Sequence, residues 1–177
     1  GIPAQGASMA AAVLASDYIE LESGEKVVGL ALLEGDSTYA IGTADGTVKR
    51  IQTSAFPIKS GGVVIGLKEG DSVVHACEAP DDAELVFITT DAQLLRFGAD
   101  AVRPQGAPAG GMAGMRVADN ARVLYFAAVR GDDIRVATVS TSLDTLITSD
   151  GGRAKVSALS EFPAKGRGTG GVRAQTL

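Results

Sequence analysis

His75 and Cys77 are the single histidine and the single cysteine of the chain, and they stand two residues apart. A thiol beside an imidazole is the pairing of a cysteine nucleophile with its base, or half of a zinc site. Neither reading completes itself. A zinc centre needs more His or Cys ligands than the chain possesses, and a nucleophile pair needs a third group to orient its base. The alternative is a core thiol and a partly buried imidazole on one face of a strand. Asp45, Asp91 and Asp150 recur and would suit metal or acid–base chemistry, but turn chemistry accounts for them. Gly166, Gly168 and Gly171 fit the spacing G-x-G-x-x-G. A dinucleotide cradle needs a strand before that motif and a helix after it. Neither is expected here, so these glycines read as turn and close-approach positions. The sequence holds no G-x-S-x-G, no P-loop and no H-E-x-x-H. No catalytic residue, metal or cofactor is expected.

The cations carry a more coherent pattern. Lys49, Arg50, Lys59, Arg96, Arg103, Arg116, Arg153, Lys155, Lys165, Arg167 and Arg173 cluster at the ends of repeated segments. Lys and Arg facing closely spaced phosphates release condensed counterions, which drives binding to duplex DNA. Gly-rich backbone beside them lets N–H groups approach a phosphate. The competing reading is that these charges keep exposed strand edges from pairing with other chains. Net charge is −5, which by itself opposes nucleic-acid binding. Its distribution changes the picture: residues 1–90 hold 13 acidic and 5 basic groups, residues 91–177 hold 8 and 11. A chain this polarised can carry a basic face. The segment from Asp150 to Arg173 shows it most clearly, because Glu161 is the only carboxylate between Arg153 and Arg173.

These residues ride on a repeat. Asp45-Gly-Thr-Val-Lys-Arg50 leads to Phe56-Pro-Ile-Lys-Ser-Gly-Gly-Val63. Asp91-Ala-Gln-Leu-Leu-Arg-Phe97 leads to Val102-Arg-Pro-Gln-Gly and on to Met112. Asp150-Gly-Gly-Arg-Ala-Lys-Val156 leads to Glu161-Phe-Pro-Ala-Lys-Gly-Arg-Gly-Thr-Gly-Gly-Val-Arg173. Short apolar, β-branched runs precede each: Val27–Leu33, Val73–Cys77 and Val123–Val129. Four short strands per period of roughly 45 to 55 residues is the pattern of propeller blades. No sustained 3.6-residue periodicity appears, so almost no helix is expected. The fold is predicted all-β: one domain over residues 1–177, a partial propeller of three to four four-stranded blades. The repeats fall near 15–68, 69–117 and 118–177. Asp45-Gly46 and Asp150-Gly151 are expected at equivalent hairpin turns, where positive φ is needed. Residues 130–143 are an insertion, either an elaborated hairpin or an extra strand. The predicted core includes Val28, Leu30, Leu32, Ile41, Val74, Val86, Ile88, Leu124, Phe126 and Ile147.

At 177 residues and 45% hydrophobic composition the chain can bury one core. Its 23 glycines suit many tight turns. No apolar run approaches a membrane span. Its start reads as the middle of a longer protein, and the single cysteine fits a reducing compartment.

The motifs Asp45-Gly-Thr-Val-Lys-Arg50 with Ser54-Ala-Phe56, and Asp150-Gly-Gly-Arg-Ala-Lys155 with Leu159-Ser-Glu-Phe162, resemble the blades of a known family. So do the links Gly110-Gly-Met-Ala-Gly-Met-Arg116 and Gly166-Arg-Gly-Thr-Gly-Gly-Val-Arg173. That family is the C-terminal domain of bacterial type IIA topoisomerases, found in the gyrase A protein of DNA gyrase and the C protein of topoisomerase IV. The resemblance covers Gln5 to Arg173. It implies a β-pinwheel, a propeller whose neighbouring blades share strands. It implies duplex DNA bound through phosphates around the rim and bent or wrapped, with strand cleavage left to the catalytic core of the parent topoisomerase. A cytoplasmic, nucleoid-associated bacterial location follows from the same resemblance. The chain departs from the gyrase pattern in lacking the QRRGGKG box and in holding about three repeats, as a fragment or shortened form would. The alternative outside this family is a propeller that binds another protein and has no role on DNA.

Overall fold

The computed structural model describes residues 14–32, 35–57, 59, 61–141 and 152–176. Within them the regular elements are ten β-strands and four three-residue 3-10 turns. Two hairpins set the frame. Strand β1 (Thr38–Thr43) turns through Asp45-Gly46 into β2 (Thr47–Gln52). After β3 (Val73–Glu78), strand β4 (Glu84–Thr89) turns through Asp91-Ala92 into β5 (Gln93–Gly98). Later come β6 (Met112–Ala113), β7 (Val123–Val129), β8 (Arg135–Ser140), β9 (Arg153–Ala158) and β10 (Val172–Arg173). Each hairpin strand ends in a 3-10 turn: Thr53–Ala55, Ala99–Ala101 and Leu159–Glu161 follow β2, β5 and β9.

Neighbouring repeats share strands. The first four-stranded sheet runs β3-β1-β2-β6, and the second runs β10-β5-β4-β7. Each hairpin is thus flanked by two pieces of the repeat that follows it. Its first strand takes the next repeat's opening strand, and its second strand takes the next repeat's link. The third hairpin, β8-β9, stands as a two-stranded sheet among the described residues. Strand β8 is therefore the hairpin partner of β9, which settles the insertion as hairpin. The expected strand near Thr145–Thr148, the turn at Asp150-Gly151 and the core position Ile147 lie outside the described residues.

Blades pack face to face, and the sequence supplies both faces. Tyr39 and Ile41 point to one side of the first blade with Ile51 and Ile65. Ala40 and Val48 point to the other and meet Leu85, Phe87, Leu95, Phe97 and Phe126 of the second blade. Phe87 and Phe126 lie with centroids 4.7 Å apart. Val86, Ile88 and Leu94 form the second blade's far face, packed on Leu159, Phe162 and Ala174. Ile41, Val86, Ile88 and Phe126 are buried and Val74 is half-buried, as the alternation predicts.

Four core expectations fail, for two physical reasons. The run 27–33 has the composition of a buried strand, yet residues 27–32 form none, and Val28, Leu30 and Leu32 are exposed, Leu30 by 75%. Its counterparts β3 and β7 become strands by pairing on the preceding hairpin, and no preceding hairpin is among the described residues. Leu124 is 67% exposed. The ladder pairs Ile88 with Tyr125 and then Thr89 with Val123. Leu124 is the extra residue of a β-bulge, which turns it out of the alternation.

The Asp45-Gly46 hairpin shows why glycine is required. Gly46 has φ +85°, and a Cβ there would stand 2.2 Å from Met115 O. The Gly46 carbonyl also accepts the Gly114 and Met115 N–H groups at 2.9 Å each, so the turn fastens the link that carries Arg116. Gly46→Ala is expected to cost more than the roughly 1–2 kcal/mol of a left-handed non-glycine residue, because the link must also retreat. The midpoint of urea unfolding measures it, and an unchanged midpoint would refute this account of the turn.

Candidate functional site

The chemistry-bearing pairs of the sequence are engaged locally. Cys77 Sγ accepts the Ala128 N–H at 3.2 Å, joining β3 to β7. Burial pushes its thiol pKa up, and that hydrogen bond offsets only part of the shift. His75 Nδ1 lies 2.7 Å from Val28 O; since a carbonyl only accepts, this nitrogen carries the hydrogen. The imidazole is therefore directed at the backbone instead of at the thiol. Asp45 accepts from Arg122 at 3.2 Å, while its N–H donates to Asp71. Asp91 accepts the Thr89 hydroxyl across its turn. No group of three or more His, Cys, Asp or Glu that could hold a metal occurs among the described residues. The glycines of 166–171 sit on an irregular link with no helix after them; Gly168 N–H donates to Gly114 O, and Gly171 lies against Leu94.

Two of the expected phosphate contacts are corrected. Lys49 and Arg50 are inside the protein, at 0% and 1% exposure. Consecutive residues of β2 point to opposite faces, and both faces of this blade are covered. Lys49 Nζ donates to Val64 O, Gly106 O and Ala109 O at 2.6, 2.9 and 2.9 Å. Burial pushes its pKa down; the three carbonyl acceptors act in the opposite sense by holding all three ammonium hydrogens. Arg50 donates to Ala99 O, Val102 O and Ala79 O at 3.0, 3.1 and 2.9 Å, and to Asp81 Oδ1 at 2.6 Å. Its Nε has no partner. These two cations latch loops and blades together and cannot meet a phosphate in this arrangement.

Arg96 repeats the Arg50 latch one blade on. Its Nε donates to Phe162 O at 2.6 Å, the counterpart of Val102 O, and its Nη1 holds both Glu84 oxygens at 2.7 Å. Its charge is already balanced, so Arg96 too is withdrawn from the expected phosphate contacts. Arg122, Arg130 and Arg135 are exposed but pair with Asp45, Asp82 and Asp133.

The other expected cations are exposed and enter none of the ion pairs among the described residues: Lys59, Arg103, Arg116, Arg153, Lys155, Lys165, Arg167 and Arg173. The structure gathers most of them along the link of residues 163–175. Arg167 donates to Ala113 O at 2.7 Å, and Arg116 N–H to Thr169 O at 3.0 Å, which sets those two arginines beside each other. Lys165 N–H donates to Arg96 O. Lys155 Nζ donates to Ala174 O at 3.0 Å, next to Arg173, and Gln175 reaches Arg153 O at 3.0 Å. Carbonyl partners position these side chains without neutralising them. Arg103 lies beyond the 3-10 turn of the second blade, and Lys59 lies on the first link, apart from this group.

Hairpins completed by a strand and a link from the following repeat define a β-pinwheel, the strand-sharing form of β-propeller. The chain belongs to the family described as DNA gyrase C-terminal domain, beta-propeller, whose model matches residues 39–76, 83–130 and 144–177. The gyrase A protein of Mycolicibacterium smegmatis is 33% identical over 153 residues, covering 83% of this chain and 17% of that protein. The gyrase A protein of Mycobacterium tuberculosis is 32% identical over 166 residues, covering 89% and 18%. The chain thus spans less than a fifth of these relatives' length. The C-terminal domain of DNA topoisomerase IV superposes with TM-score 0.74 at 21% identity, over 89% of this chain and 48% of that one. The DNA gyrase A C-terminal domain gives 0.69 at 20%, over 87% and 50%. These two likenesses establish the fold.

Proposed function

We propose that the chain is a non-catalytic accessory domain of a type IIA DNA topoisomerase that binds duplex DNA through phosphate contacts and bends it. Its partners are then the duplex and the catalytic core of the parent enzyme, in the bacterial cytoplasm at the nucleoid. The observation that carries this reading is the set of exposed, carboxylate-free cations along the blade links, densest on residues 163–175. Family membership supports it. The local engagement of His75, Cys77, Asp45 and Asp91 supports the non-catalytic part. Successive blades turn about the propeller axis, so cations on successive links follow a curved surface. A duplex that touches several of them must bend, and bending costs a sequence-dependent energy that phosphate contacts offset. No described element is suited to enter the major groove, so recognition falls on phosphates and tolerates sequence.

The test is a fluorescence-anisotropy titration of the purified chain on duplexes of unrelated sequence, linear and pre-bent, at several salt concentrations. Affinity is expected to be alike for all sequences, higher for pre-bent DNA, and to fall with log salt at about 0.9 per phosphate contact. Binding without salt dependence, or none at all, would sink the proposal and favour a protein-interaction module.

A further inference from the structure

The strand-sharing rule leaves this chain with two unfilled positions and two unused fillers. Hairpin β8-β9 lacks both flanking pieces that the first two hairpins possess. Its open face is apolar, with Ala137 and Ala154 exposed, Val139 76% exposed and Val156 64%. At the other end, residues 27–32 and 63–64 are the counterparts of β3 and β6. Val27-Val28 matches Val73-Val74, and Gly61-Gly62-Val63 matches Gly110-Gly111-Met112. Neither is paired in a sheet, and Leu30, Leu32 and Val63 are exposed by 75%, 78% and 59%. The segment nevertheless holds the place of a flanking strand. Gly29 runs so close to β3 that a Cβ on it would stand 2.6 Å from Ala76 O, and Val28 O meets His75. Strand β3 runs against β7 in the same way, through Cys77 and Ala128.

We infer that two copies of this chain associate head to tail, residues 27–32 and 63–64 of each completing the β8-β9 blade of the other. Two further observations choose a second copy as the occupant. The head of the chain is acidic and the tail basic: residues 1–90 carry 13 acids against 5 bases, residues 91–177 carry 8 against 11. A head-to-tail contact sets opposite charges together, whereas a head-to-head contact sets like charges together. The solved domains of the same fold are also about twice as long as this chain, which covers 48% and 50% of them. Two copies, each with three hairpins, supply a ring of that size. A head-to-tail contact either closes or polymerises, and a ring of matching size closes it at two.

The repeat equivalences fix the register. Ala76 stands opposite Ile41, and Phe126 opposite Phe87; Leu30 is the counterpart of Ala76, and Thr138 of Phe87. Leu30 of one copy therefore stands opposite Thr138 of the other. Val48 opposite Met112 and Leu94 opposite Val172 likewise place Val63 opposite Ala154.

Sedimentation and light scattering across a dilution series are expected to give twice the 17.9 kDa of one chain. Leu30→Asp with Leu32→Asp is expected to halve that mass; both side chains are exposed, so the circular dichroism and thermal transition of the blades persist. Leu30→Cys with Thr138→Cys, on a Cys77→Ser background that retains an acceptor for Ala128 N–H, is expected to yield a disulfide-linked dimer on oxidation. A parent of single-chain mass at every concentration overturns the inference. So does an open polymer, a dimer that survives the paired Asp substitutions, or oxidation that leaves only single chains. DNA binding is not read in any of these measurements, so their outcome is independent of the function proposed above.

Discussion

Arg50→Ala is expected to lower the free energy of unfolding by about 3–5 kcal/mol, the usual cost of removing one partner from a buried ionic network. The guanidinium is the largest side chain buried in the protein. It donates to the Ala99, Val102 and Ala79 carbonyls, all on fully buried residues, and to Asp81. Truncation deprives three carbonyls of their charged donor in a dry interface, where water cannot easily replace it, and also leaves a cavity. Arg96→Ala supplies the internal comparison. It occupies the same place one blade on, but its side chain is 18% exposed and its partner Glu84 34%. Water can rehydrate what is left, so the cost falls to about 1–3 kcal/mol, the range of charge-assisted hydrogen bonds. Arg50→Met separates the contributions, since it keeps the apolar stem and removes only the donors. Urea unfolding of the three variants checks the order. If Arg50→Met unfolds with the parent, the hydrogen bonds contribute nothing and the latch is merely packing.

On the surface, the largest effect is expected from replacing Lys165, Arg167 and Arg173 together by Ala. All three are exposed on one link and none is neutralised by a carboxylate among the described residues. Each phosphate contact contributes about 0.9 to the slope of log affinity against log salt, so the slope should flatten by up to about three units. Between 50 and 200 mM salt, roughly 40-fold of the parent's loss of affinity would then disappear. The effect should be equal on unrelated duplexes, because phosphate contacts carry no direct sequence information. Arg122→Ala with Arg130→Ala removes two cations that are equally exposed but paired with Asp45 and Asp82. That pair should leave the slope nearly unchanged. If the two sets of variants flatten it alike, net charge governs binding and the link has no special place in it.

Several features were legible in the sequence because they depend on short-range chemistry. Asp45-Gly46 marks a hairpin since positive φ selects glycine there. The recurrence of turn, strand and Gly-rich link marks propeller blades, and the apolar run at residues 85–88 marks a strand buried on both faces. The charge asymmetry separated an acidic head from a basic tail. Part of the Lys49 and Arg50 outcome was legible too: adjacent charged residues mid-strand, in a blade expected to bury both faces, must both turn inward.

Tertiary structure alone decided what depends on distant partners. Which carbonyls satisfy Arg50 is set by residues 29 to 52 positions away. Leu124 is exposed because of a bulge in the ladder to β4, which local alternation cannot reveal. Leu30 and Leu32 are as apolar as any strand residue, yet a strand exists only where a neighbour completes its hydrogen bonds. The same holds for the cations. Arg96 and Arg167 look alike in sequence, but Glu84 neutralises one, while the other meets only an uncharged carbonyl. Side-chain type sets how strongly a group can interact; the fold sets what it meets.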